Sequence, residues 1–180
     1  MKTASVRLSE PAFCQLLAMM PAAGRLLLPE AAYSAREFIR ARQEWEEAGL
    51  AELDFDGVLH ASPRFARMLW NLEKSRGVLR LRDTAGEIMF VRGPVDLLQI
   101  RRKAGEDSRK LALRPLSEAA WAIKRRLREH AEWELMTQIP GEESPLLSKI
   151  PPEEGQGGRE EAIRAHLEKF YGKEAGQNAG

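Results

Sequence analysis

Residues 78–113 read VLRLRDTAGEIMFVRGPVDLLQIRRKAGEDSRKLAL. Side-chain character alternates with a period of two in four runs, Val78–Arg82, Glu87–Arg92, Val95–Arg102 and Arg109–Leu113. The turn clusters DTAG, GP and AGED separate them. Short alternating runs with such punctuation predict an antiparallel meander of three or four strands. The outer runs alternate cleanly: Leu79 and Leu81 oppose Val78, Arg80 and Arg82, and Leu111 and Leu113 oppose Lys110, Ala112 and Arg114. The middle runs are apolar on both sides. Ile88 and Phe90 stand against Met89 and Val91, and Leu98 and Ile100 against Val95 and Leu97. A sheet with one wet face alternates throughout. The second face of this meander is therefore expected to be part covered or to be a docking surface.

Outward from the meander the period changes to 3.6. On the N-terminal side a short entry strand at residues 5–8 leads to Ser9, a helix N-cap, with Pro11 in the first turn. Phe13, Leu16, Leu17 and Met20 form the stripe of that helix, which Pro21 and Gly24 end. A second helix is expected from about Glu30 to Ala48, with Phe38, Ile39 and Trp45 on its stripe and Gly49 just past its end. Asp56-Gly57 suggests a small hairpin of Glu52–Phe55 with Val58–His60. Ser62-Pro63 opens a third helix that buries Phe65, Met68, Leu69 and Leu72 and ends at Gly77. On the C-terminal side Ser117-Glu118 opens the longest predicted helix, reaching Met136 and packing across the sheet through Ile123 and Leu127. Four Pro and four Gly among residues 140–158 then suggest a linker over 139–158. A short helix with Ile163, His166, Leu167 and Phe170 on one side follows, and a polar tail. The expectation is an α+β domain over 1–138, a linker over 139–158, and a tethered helix with disordered tail over 159–180.

The chemistry-bearing residues are sparse. His60, His130 and His166 have no metal-ligand spacing between them. Cys14 is the lone cysteine, so no internal disulfide forms, and a small buried thiol is the simplest reading. Gly155-Gln-Gly-Gly158 lacks the Lys-Ser/Thr pair of a phosphate cradle. The acids Glu44, Glu46, Glu47, Glu52, Asp54 and Asp56 lack the spacing of a calcium loop and read as a solvated face. No catalytic residue, cofactor or metal site is expected. The first twenty residues do not read as a signal peptide, and no apolar run approaches the ~20 residues of a membrane span. A cytoplasmic protein is expected.

Charge is the strongest signal. The net charge is +1, yet Lys74–Arg128 holds fifteen Lys/Arg against six Asp/Glu, and Glu30–Asp56 eight acids against three Arg. Arg80, Arg82, Arg92, Arg101, Arg102, Lys103, Arg109, Lys110 and Arg114 lie on or beside the sheet. Three uses fit: solvation and edge protection, an acidic protein partner, or nucleic acid. RNA-reading sheets carry two or three exposed aromatics, and here only Phe90 lies inside a strand. A second reading treats the three short helices and hairpin as a winged helix, with Arg64, Arg67, Asn71 and Lys74 offered to a groove. Trp121 and Trp133 lie off the inner stripe of the long helix and are candidate interface anchors.

The order of elements resembles the EspG family of ESX (type VII) secretion-specific chaperones. The likeness rests on Leu8-Ser9-Glu10 leading to Phe13 and Leu16-Leu17, and on Leu28-Pro29 followed by an Arg-rich helix and Gly49-Leu50. It continues through the DFDG hairpin, the Pro63–Leu72 helix and the strands after it, over roughly residues 6–136. The resemblance implies a half-size relative, of the kind found in Gram-positive bacteria, that binds a helical secretion substrate and dimerises to restore two halves. Partner binding is assigned to Arg80, Arg82, Phe90, Arg92, Val95, Leu97, Arg101 and Trp133.

Overall fold

The computed structural model describes residues 5–9, 11–13, 35–53, 59–129, 132–150 and 156–172. The fold is mixed α+β, built on one seven-stranded antiparallel sheet. Its strands are β1 (Ser5–Ser9), β4 (Gly77–Asp83), β5 (Gly86–Arg92), β6 (Asp96–Lys103), β7 (Ser108–Pro115), β8 (Trp133–Gln138) and β9 (Leu146–Ile150), in the order β1-β7-β6-β5-β4-β8-β9. A separate two-stranded ribbon pairs β2 (Ala51–Leu53) with β3 (Leu59–Ala61). The helices are α1 (Ala35–Glu47), α2 (Pro63–Glu73), α3 (Ala119–Glu129, entered through a 3₁₀ turn at Leu116–Glu118) and α4 (Gln156–Tyr171).

Local chemistry accounts for most boundaries. Ser62 caps α2 by accepting from Phe65 N–H at 3.2 Å, with Pro63 in the first turn. Lys74 rather than Gly77 ends α2, and Gly77 opens β4. Gly49 takes a φ of 66° past α1, in the left-handed region a helix stop requires. The β4–β5 turn is closed by Asp83, whose carboxylate accepts from the N–H groups of Ala85 (2.9 Å) and Gly86 (3.1 Å).

The meander β4–β7 forms as the alternation predicts, in a continuous register from Val78↔Val91 through Val91↔Leu98 to Leu98↔Leu113. Three expectations around it are corrected. The long helix does not reach Met136: α3 ends at Glu129, and Trp133–Gln138 is a strand. Its period had changed back to two, because Trp133, Leu135 and Thr137 are buried between exposed or half-buried neighbours. The expected linker contains β9, which pairs with β8 from Trp133↔Ile150 to Thr137↔Leu146. The last helix is no tether either, since α4 lies against β4, β8 and β9. The rest of the first helix with Cys14, the chain to Ser34, Asp56-Gly57, His130 and the tail from Lys173 lie outside the described residues.

Both faces of the sheet carry a core. On the first, Val6, Leu8, Val78, Met89, Val91, Leu98, Ile100 and Leu111 pack against Phe13, Trp45 of α1, and Phe65, Met68 and Leu72 of α2. On the second, Leu79, Leu81, Ile88, Phe90, Leu97 and Leu135 pack against Ala119, Ile123 and Leu127 of α3, with Phe170, Ile163 and Leu167 of α4. The double-sided apolar pattern of the middle strands is thus explained within the chain: two layers of helix sandwich the sheet.

Candidate functional site

The eight residues expected to bind a partner separate into five environments. Phe90, Leu97 and Trp133 are buried at 0, 0 and 3 % exposure in the second core. They offer nothing to a partner in the folded chain, and the expectation of an open apolar face is corrected. The apolar pattern was read rightly, but its cover is α3 and α4. Arg92 turns into the protein. Its guanidinium donates to the carbonyl of Phe170 (3.0 Å) and to that of Tyr171, and lies 5.6 Å from the Tyr171 ring. It caps the C-terminus of α4, where a cation meets the helix dipole and the last free carbonyls.

Arg80 and Arg82 belong to an ion cluster on the first face. Glu87, itself buried, receives Arg82 through Nη2 at 2.9 Å and Nε at 3.2 Å, Arg109 at 3.6 Å and Arg80 at 3.9 Å. Register sets this group: Glu87 pairs directly with Arg82 on β4 and Arg102 on β6. Arg109 is buried beneath the Phe13 ring at 4.8 Å. Burial lowers the Arg80 pKa, Glu87 opposes that, and the charges of Arg82 and Arg109 add to it; the hydrogen bond to Glu87 raises Arg82. Three cations around one acid hold β4, β5 and β7 together.

Val95 is 65 % exposed in the β5–β6 turn, beside Asp96, which takes both guanidinium arms of Arg67 from α2 at 2.9 and 2.7 Å. Arg101 alone of the eight is a surface cation on the second face. There the register brings together two residues the sequence reading did not assign. Arg101 lies opposite Lys110, and Lys110 opposite Arg7 of β1, so three cations stand in a row across three adjacent strands. The second-face positions of β1, β7 and β6 are Ser5, Arg7, Ser9, Ser108, Lys110, Ala112, Arg114, Leu97, Gln99, Arg101 and Lys103. They include five cations and no carboxylate. At the rim, Arg114 reaches Glu118 at 3.9 Å and Gln99 at 2.9 Å, and Lys103 reaches Glu106 at 4.0 Å. For the three in the middle, no ion pair is found among the described residues.

On α3, Trp121 is 57 % exposed, with the Arg125 guanidinium 5.3 Å from its ring. On this half of the second face Arg7, Lys110 and Arg101 form a cationic shelf. The signal that could have found it is the pairing of Arg7 with Lys110. That contact spans about a hundred residues of chain, and no local pattern contains it.

Among the described residues no group of His, Cys, Asp and Glu is placed to hold a metal ion, and no helix is long and apolar enough to cross a membrane. His166 is buried on α4, with Nδ1 2.5 Å from Thr137 Oγ1 of β8. Burial, with Lys169 adding to it, lowers its pKa to about 4, so it is neutral near pH 7 and bridges two elements of the core. Neither the protein-family models nor the curated proteins include a match to this chain.

Proposed function

We propose that this chain is a non-enzymatic adaptor that binds another polypeptide, a cytoplasmic chaperone of the type VII secretion kind that its order of elements resembles. The observation that carries the reading is the shelf. Like charges directly opposite across strands destabilise a sheet, and here two such contacts follow one another with no acid between them. The chain also exposes the Trp121 indole on α3, and Trp and Arg are enriched where proteins dock. Among the described residues, Glu87 is held by three arginines, Asp96 by Arg67, and His166 by Thr137.

The nucleic-acid reading is less well supported. The strand aromatic Phe90 is buried, so it offers no stacking platform. On α2, Asn71 is buried, Arg67 is held by Asp96, and Lys74 lies 5.7 Å from the Trp70 ring. Co-expression with small helical proteins encoded beside this chain is the direct test of the adaptor reading. A stoichiometric complex that survives gel filtration and is lost in Lys110→Glu is the expected result. A gel shift with duplex DNA that weakens by orders of magnitude between low and physiological salt, with no protein complex, would replace the adaptor by a nucleic-acid regulator.

A further inference from the structure

We infer that the occupant of the shelf is an acidic helix lying across β6, β7 and β1, with one carboxylate for each of Arg101, Lys110 and Arg7. The inference rests on the adaptor reading and specifies the partner of that same surface. Its basis is a match of spacings. The three cations stand on adjacent strands, and neighbouring strands lie about 4.8 Å apart, so the row spans about 9.6 Å between its outer members. In a helix, residues i, i+4 and i+7 fall on one face, and i to i+7 covers about 10.5 Å at a rise of about 1.5 Å per residue. In a strand, three residues on one face, i, i+2 and i+4, cover about 13.4 Å at about 3.35 Å per residue. The helix matches the row to within the reach of a side chain, and the strand overshoots by nearly a whole strand spacing.

Charge fixes the sign of the partner. The eleven second-face positions of β1, β7 and β6 hold no acid. A helix whose acidic edge meets the row complements that charge. The edge of the sheet argues against strand addition as the main contact. At the end of β1 the Glu44 carboxylate of α1 takes the Ser9 N–H and hydroxyl, both at 2.5 Å. A side chain that occupies an edge donor stops an added strand there.

The test uses the full chain and two fluorescent 21-residue peptides of identical composition. One places Glu at i, i+4 and i+7 on a helical background with Leu on the adjoining face. The other places the same Glu residues at i, i+2 and i+4. By fluorescence anisotropy the first should bind at least tenfold more tightly. Lys110→Glu should weaken it at least tenfold, with circular dichroism unchanged and a thermal midpoint no lower than that of the natural chain. Equal binding of the two peptides, both lost in Lys110→Glu, would overturn the helical register while leaving the docking surface in place. Absence of binding by either peptide would overturn the acidic-helix assignment. Binding that Lys110→Glu does not weaken would remove the shelf, and with it the adaptor reading. A single-stranded 21-mer that binds more tightly than both peptides, and is lost in Lys110→Glu, would make the occupant a nucleic acid and overturn the inference.

Discussion

Two groups of cations sit on opposite faces of the same sheet, and they differ in what surrounds them. On the first face Arg80, Arg82 and Arg109 converge on Glu87, with Arg109 fully inside the protein under Phe13. On the second face Arg7, Lys110 and Arg101 follow one another across three strands, with no ion pair to them found among the described residues. In the sequence the two groups look alike, as basic residues scattered through alternating runs. In the fold one is a structural cluster and the other an exposed field. A buried guanidinium demands a partner from its own chain, whereas an exposed one can wait for a partner from elsewhere.

The largest effect lies with the apolar residues that share the second face with that field. Phe90 and Leu97 were candidates for docking and are core. The double change Phe90→Glu/Leu97→Glu inserts two charges against α3 and α4. It should leave the chain unfolded at 25 °C, with a destabilisation well beyond 5 kcal/mol by the usual cost of an unpaired buried charge. Circular dichroism reads the outcome directly. A folded double variant would mean that α3 and α4 do not cover this face, and it would again be a docking surface.

Next in size is the acid at the centre of the first group. Glu87→Gln leaves Arg109 buried and Arg80 half-buried, with like charges around them. Removing one partner of a buried ion pair costs about 3–5 kcal/mol, and chemical denaturation should show a loss of that order. Loss of less than about 1 kcal/mol, the value typical of surface pairs, would place the cluster in solvent and erase the contrast between the two faces.

The third effect separates the elements that the sequence did and did not reveal. The meander was legible because alternation is a local signal, and so were Ser62-Pro63 and Gly49 at helix ends. The cover was not. β8 is hard to see because its alternation covers only six residues directly after a helical run, and β9 is short and lies among prolines and glycines. Of the candidate site only Arg101 was anticipated at its place on the shelf, because Arg7 joins it through a register set by topology. The late elements carry their own titration. His166 of α4 has its pKa lowered from 6.5 to about 4 by burial and by Lys169, so the fold favours its neutral form. Its contribution is complete above pH 6.5 and is lost as pH falls toward 4, by at most about 3 kcal/mol at about 1.4 kcal/mol per pH unit. Carboxylates titrate in the same range, so the difference between the wild type and His166→Gln isolates the histidine. The gap in stability between the two should narrow between pH 6.5 and 4. A gap independent of pH would show that His166 is solvated and that α4 does not seal the face.

The smallest effect on the fold is the most telling for the second group. In Lys110→Glu a carboxylate stands between Arg7 and Arg101, directly opposite both. Opposite-charge pairs across strands contribute about 0.2–1 kcal/mol each, and like-charge pairs cost a similar amount. The variant should therefore be slightly more stable than the natural chain, by a few tenths to about 1 kcal/mol, and the gain should shrink in 1 M salt, where the screening length falls to about 3 Å. A substitution that stabilises the fold while abolishing peptide binding identifies a residue kept for recognition at the expense of stability. If Lys110→Glu instead destabilises the chain as Glu87→Gln does, the second row is structural like the first. The asymmetry between the faces would then vanish, and the shelf with it.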